Sequence, residues 1–211
     1  MIVDINLLCF GEIMIEYVAG NKTAIILLHE IYGLNRFIMD TALQYHSEGY
    51  DVHCPNLLKD DTVFQYEESE AAYRTFIEMA GFEGYKEINK LAFHLKTTYS
   101  KLLLVGFSVG ATIAWRCSEY TVYDGIMCCY GSRIRDYLMV KPTCPTLVTF
   151  AKYDSFDVAG TAMKVQKIKG TSVEILDAGH GFADMYSKGY SYVEKQLLDQ
   201  NRKRFWDLCI K

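Results

Sequence analysis

The 211-residue chain has no apolar run long enough to cross a bilayer, which takes roughly 18–20 residues. The best candidate, residues 102–115, is interrupted by Gly106, Ser108, Gly110 and Thr112. The first residues carry Asp4, Glu12 and Glu16 without a basic cluster, so no secretory leader is expected and the expected location is cytoplasmic. With only three prolines, and no tract rich in Pro, Gly or Ser, there is no candidate linker. C-x-x-C, H-E-x-x-H and glycine-rich phosphate loops are missing, and neither a metal nor an organic cofactor is expected. The seven cysteines (Cys9, Cys54, Cys117, Cys128, Cys129, Cys144, Cys209) are an odd, scattered set, expected to be reduced and packed as small hydrophobes. Positive charge is not in excess: 22 Lys+Arg against 26 Asp+Glu give a net charge of -4. That balance offers no electrostatic reason for nucleic acid or an anionic membrane as partner. The basic stretch 195–204 reads as a solvated helix face.

The chain does have 50% hydrophobic and 23% charged residues, an ordinary globular composition. Its length suits one domain spanning 1–211. Short apolar runs at 24–28, 52–54, 102–105, 125–129, 146–150 and 173–176 alternate with helix-length patterns at 35–48, 67–80, 85–99, 109–119 and 157–169. A last helical pattern follows Tyr190. Several of the runs lack polar alternation, as strands covered on both faces do. This order predicts an α/β fold, a mostly parallel central sheet with helices on both faces. Gly49 fits a helix C-cap, and Pro55, Pro142 and Pro145 mark strand boundaries.

The strongest local signal is Gly106-Phe107-Ser108-Val109-Gly110, a G-x-S-x-G that follows the strand-like KLLLV and opens a helix-like run. Such a strand–turn–helix lifts a serine hydroxyl above the sheet edge, and its glycines let strand and helix approach. The amide of Val109, at the helix N-terminus, suits developing negative charge. A serine nucleophile needs a base and a carboxylate to orient it. His180, in a Gly-His-Gly loop after a strand, is the only histidine beyond Ser108, and Asp154 lies between them after the run TLVTF. Both candidates follow strand ends, where α/β sheets place their sites. Asp157, the rival acid, reads better as a helix N-cap, and His46 and His94 fall in helical patterns and read as structural.

On these residues the chain resembles the dienelactone hydrolase family of α/β-hydrolases, in a serine-nucleophile form. Four stretches carry the resemblance: His29-Glu30-Ile31-Tyr32-Gly33-Leu34-Asn35, Glu48-Gly49-Tyr50-Asp51-Val52-His53-Cys54-Pro55, the Ser108 pentapeptide, and Ala178-Gly179-His180-Gly181-Phe182. The resemblance implies Ser108 as nucleophile, His180 as general base and acid, and Asp154 as orienting carboxylate. It implies an oxyanion hole from the amides of Ile31 and Val109, and pocket roles for Glu30 and Tyr73. An α/β-hydrolase core fills nearly the whole chain, so no cap domain is expected.

Three departures stand out. The family's best-known members have cysteine where this chain has Ser108. An arginine that holds the substrate carboxylate is matched by Asp184. A second such arginine falls near Ser69. If Glu30 and Asp184 both face the substrate, the pocket should disfavour anionic esters, unless Arg36 or Arg74 reaches in. Tyr32, Phe37, Phe107, Tyr130, Tyr153 and Phe182 are further pocket candidates. The expected activity is hydrolysis of small esters or lactones by a monomer or homodimer. A serine peptidase, an acyltransferase or a non-catalytic hydrolase-fold binding protein are the alternatives.

Overall fold

A computed structural model describes residues 14–211; Cys9, Asp4 and Glu12 lie outside them. Seven strands form one sheet in the order β1-β3-β2-β4-β5-β6-β7. They are β1 (Met14–Tyr17), β2 (Thr23–Leu28), β3 (Asp51–Pro55), β4 (Lys101–Phe107), β5 (Gly125–Cys129), β6 (Thr146–Ala151) and β7 (Thr171–Leu176). All neighbours run parallel except β1, which pairs antiparallel with β3. The helices are α1 (Arg36–Ser47), α2 (Ser69–Met79), α3 (Tyr85–Leu95), α4 (Val109–Cys117), α5 (Val158–Gln166) and α6 (Tyr192–Cys209).

The period-2 geometry of the strands sorts the core into two layers. Ile25, Leu27, Leu103, Val105, Met127 and Leu147 point to the face covered by α1 and α6, where they meet Phe37, Ile38, Leu198 and Trp206. Their neighbours Ala24, Ile26, Leu28, Leu102, Leu104 and Val148 point to the other face, against α3, α4 and α5. Strands β2 to β6 are covered on both faces, which is why their runs read as unbroken apolar stretches, whereas β7 and β1 at the edges are partly exposed. β4 sits mid-sheet, so its C-terminal end is held from both sides and is a rigid place to mount a side chain.

Local chemistry sets the boundaries. Asn35 caps α1 by accepting from the Ile38 amide, and Asp157 caps α5 by accepting from Gly160, the role expected of it. Gly49 follows α1 at φ +95°, as a C-cap glycine does.

Three features differ from expectation. β1 was not anticipated; a four-residue edge strand has too short a pattern to stand out. Three 3-10 segments add to the expected elements: Tyr66–Glu68 at the start of the pattern expected from 67, Gly81–Gly84 between α2 and α3, and Ser132–Asp136 where no element was expected. The basic stretch is not wholly a solvated face: Arg202 is buried, bidentate with Glu48 at 2.9 and 3.0 Å and stacked on Tyr45 and Trp206. Cys54, Cys117, Cys128, Cys129, Cys144 and Cys209 are all buried and free.

Candidate active site

The turn between β4 and α4 holds Ser108 at φ 52°, ψ -112°, a conformation costly for a residue with a Cβ. Packing enforces it. A Cβ on Gly106 would sit 2.2 Å from the Gly110 carbonyl oxygen, and one on Gly110 would sit 2.6 Å from the His29 carbonyl oxygen. Helix α4 is thus pressed directly onto the ends of β4 and β2, and the Ser108 side chain is driven out over the sheet edge.

Two loops meet it there. After β7, His180 places Nε2 2.8 Å from Ser108 Oγ. After β6, Asp154 places Oδ2 2.7 Å from His180 Nδ1, and its other oxygen accepts from the Ser155 amide at 2.7 Å. The Tyr153 amide donates to Ala178 at 3.0 Å, tying the acid loop to the histidine loop. The Asp154 side chain is 5% exposed and that of His180 40%, so the imidazole edge meets the cleft while its partner is sheltered. Burial opposes the charged form of each. The hydrogen bond and mutual attraction win, holding Asp154 below the usual aspartate range and raising His180 above the usual histidine value. The charge of Glu30 adds to the rise at His180.

Ile31 and Val109 line the cleft beside Ser108, and neither backbone amide donates to a protein acceptor among the described residues. A cleft of about 460 Å³ opens over Ser108 and His180, lined also by Tyr73, Ser132, Arg133 and Tyr153. A second, of about 270 Å³, shares Ile31, Ser108 and His180 with it and is walled by Glu30, Tyr32, Tyr66 and Lys188.

The pocket residues expected from sequence separate into three groups. Tyr73 and Tyr153 line the larger cleft, and Glu30 and Tyr32 the smaller. Phe37, Phe107, Tyr130 and Phe182 do not line either; they are buried, with the Tyr130 ring edge-on to the imidazole at 5.2 Å, Phe182 and Phe107 against Tyr130, and Phe37 against Phe107. Asp184 does not face either cleft. It is fully buried behind Tyr66, whose hydroxyl donates to it, and it accepts from the Tyr186 amide at 2.8 Å. The pairing of two carboxylates on the substrate therefore fails at Asp184. Neither Arg36 nor Arg74 lines a cleft; Arg36 pairs with Asp40 and lies over Tyr186. The cation on the larger cleft is Arg133, ion-paired through Nε with Asp136 at 3.0 Å. It sits in the 130–135 loop expected to help wall a capless site, though no motif in the sequence singles it out.

Glu30 is 5% exposed. Burial pushes its carboxyl up to about 7; Asp184 adds to the rise, while His180 and the Tyr130 hydroxyl oppose it.

A parallel sheet with a strained serine turn on its central strand, and a histidine and an acid on later strand ends, defines an α/β-hydrolase. Within that class the model of the dienelactone hydrolase family matches residues 13–206, and the chain belongs to this family of ester-bond hydrolases. It is similar to YczH, an uncharacterized protein of Bacillus subtilis (strain 168), at 40% identity over 166 residues, covering 77% of this chain and 82% of that one. It is 24% identical to carboxymethylenebutenolidase of Pseudomonas putida, over 93% of this chain and 90% of the enzyme. Among solved structures, one from Klebsiella pneumoniae, provisionally described as a dienelactone hydrolase, superimposes with a TM-score of 0.77. It has 15% identity and covers 93% of this chain and 92% of the other, a likeness of fold.

Proposed function

We propose that the protein hydrolyses small carboxylic esters or lactones through a Ser-His-Asp triad and an acyl-enzyme intermediate. The observation that carries this reading is the unbroken hydrogen-bonded chain from Ser108 Oγ through His180 to Asp154, mounted at the strained turn. Ser108 Oγ attacks the carbonyl carbon as His180 Nε2 takes its proton. Negative charge collects on the carbonyl oxygen and rests on the amides of Ile31 and Val109. Asp154 stabilises the imidazolium that forms. His180 then protonates the departing alkoxide as the carbon–oxygen bond breaks. Water, deprotonated by the same imidazole, cleaves the acyl-enzyme and restores Ser108.

The two clefts that meet at Ser108 give room for one substituent on each side of the carbonyl. Arg133 on the larger one removes the expectation that anionic esters are disfavoured, and an ester with a carboxylate on that side suits it. Carboxymethylenebutenolidase, by its name, acts on such a carboxylate-bearing lactone, which fits the same reading.

The test is labelling with a fluorophosphonate followed by intact-mass measurement. A single adduct, lost in Ser108→Ala, is expected, together with turnover of p-nitrophenyl esters and not of peptide anilides. No adduct, or an adduct that persists in Ser108→Ala, overturns the triad. Anilide turnover at rates like those of the esters moves the reading to a peptidase.

A further inference from the structure

His29, just beyond β2, is fully buried and touches neither cleft, yet it is not an inert core residue. Its ring lies between two backbone groups of opposite character. Nδ1 meets the carbonyl oxygen of Glu30, an acceptor. Nε2 receives the Leu57 N–H at 2.8 Å, a donor. Only one protonation state serves both: the neutral imidazole with its proton on Nδ1. Burial favours that neutral form, pushing the pKa of His29 down to about 4.

The carbonyl of Glu30 and the N–H of Ile31 belong to one peptide unit. That unit is trans, as no described peptide bond is cis, so the two groups point in opposite directions. A donor that grips the carbonyl on the buried side therefore turns the N–H to the open side. There Ile31 lines both clefts beside Ser108, and its amide has no protein acceptor. Without the grip the 30–31 peptide is free to rotate, and a flip presents a carbonyl, instead of a donor, to the developing oxyanion.

We propose that His29 is a positioning residue for the oxyanion hole: its Nδ1–H fixes the Glu30–Ile31 peptide so that the Ile31 amide faces the reacting carbonyl, while Nε2 anchors this loop to the segment after β3. This rests on the reading of Ile31 and Val109 as the oxyanion donors. Loss of one such donor costs about 10²–10³ in rate, chiefly in kcat.

The two halves of the imidazole can be separated by substitution. Asparagine in His29→Asn carries an N–H at the level of Nδ1 and can still donate to the Glu30 carbonyl, but it is too short to reach Leu57. Leucine in His29→Leu keeps bulk and makes neither bond. With p-nitrophenyl acetate, His29→Leu is expected to lose about 10²-fold in kcat with KM within about twofold. His29→Asn is expected to recover most of kcat despite reduced thermal stability. Equal loss of kcat in both variants, or a loss that follows melting temperature instead of the Glu30 contact, overturns the proposal.

A crystal structure of His29→Leu, or of His29→Asn should the leucine variant fail to fold, reads the peptide directly. Leucine should release or flip the 30–31 peptide and asparagine should retain it; an unturned peptide in the leucine variant, or a flipped one in the asparagine variant, contradicts the assignment. The structural readout stands whether or not the wild type turns over esters. An esterase rate that survives Ser108→Ala would instead sink the proposed function and leave the peptide geometry to be judged on its own.

Discussion

Glu30 is the residue at which burial and function pull hardest against each other. The residue is 5% exposed, and burial pushes its carboxyl up to about 7. Its charge also adds to the rise in the His180 pKa, behind the larger effect of Asp154. On the proposed mechanism His180 is the general base and must be neutral, so kcat/KM is expected to rise with pH as it loses its proton. Removing the Glu30 charge lowers the histidine pKa, so Glu30→Gln should move the acid limb of the kcat/KM profile to lower pH. A limb that stays in place or moves up would show that Glu30 is not felt at His180.

Arg133 supplies the second test at this scale. In Arg133→Gln, kcat/KM for an ester whose carboxylate reaches the larger cleft should fall about tenfold, the worth of one charge-assisted hydrogen bond of roughly 1.5 kcal/mol. A neutral analogue should change less than about twofold. Equal losses on both esters would make Arg133 a packing residue.

Among the elements, the β4–α4 turn does most of the positioning, and it was also the most legible part of the sequence. Its two glycines are dictated by contact: the strand end, the helix start and the His29 carbonyl occupy the space a Cβ would need. Gly110→Ala should lose about 1–3 kcal/mol in urea denaturation through overpacking and should lower kcat, because the helix is pushed off the strand that leads into Ile31. Unchanged stability with unchanged kcat would mean that helix and strand are not held in register by this contact.

The six main parallel strands, the helices and the Ser108, Asp154 and His180 loops could be read in advance because each has a period or a punctuation mark. β1 is a short edge strand and has neither. Tyr66 and Arg133 lie in loops that a capless core must use to wall its site, 61–73 and 130–135, but no motif singles out either residue. Asp184 was misplaced because an aligned position says which residue stands there and nothing of where its side chain points; Tyr66 and the Tyr186 amide draw it inward. His29 stands in a motif that gives it no role, since its two partners, Glu30 and Leu57, meet only after β2 and β3 pair.

On the scale of the whole molecule, the sheet fixes the strand ends and leaves chemistry to the loops beyond them. Among the described residues no separate layer covers the two clefts, and no helix is long and apolar enough to cross a membrane. We propose that the site is used as it stands, with no lid to open at a lipid surface. Rates on a short-chain ester should therefore follow simple saturation up to the solubility limit, and a jump on formation of droplets would contradict the open-site account. The central claim, that Ser108 is the nucleophile of an ester hydrolase, is tested most directly by kcat/KM for p-nitrophenyl acetate in the wild type and in Ser108→Ala, with both proteins shown to be folded. A loss of about 10³-fold or more is predicted, leaving only the residual rate that binding and the oxyanion amides provide. A variant that keeps its rate within about tenfold would place the chemistry on another residue and contradict the account.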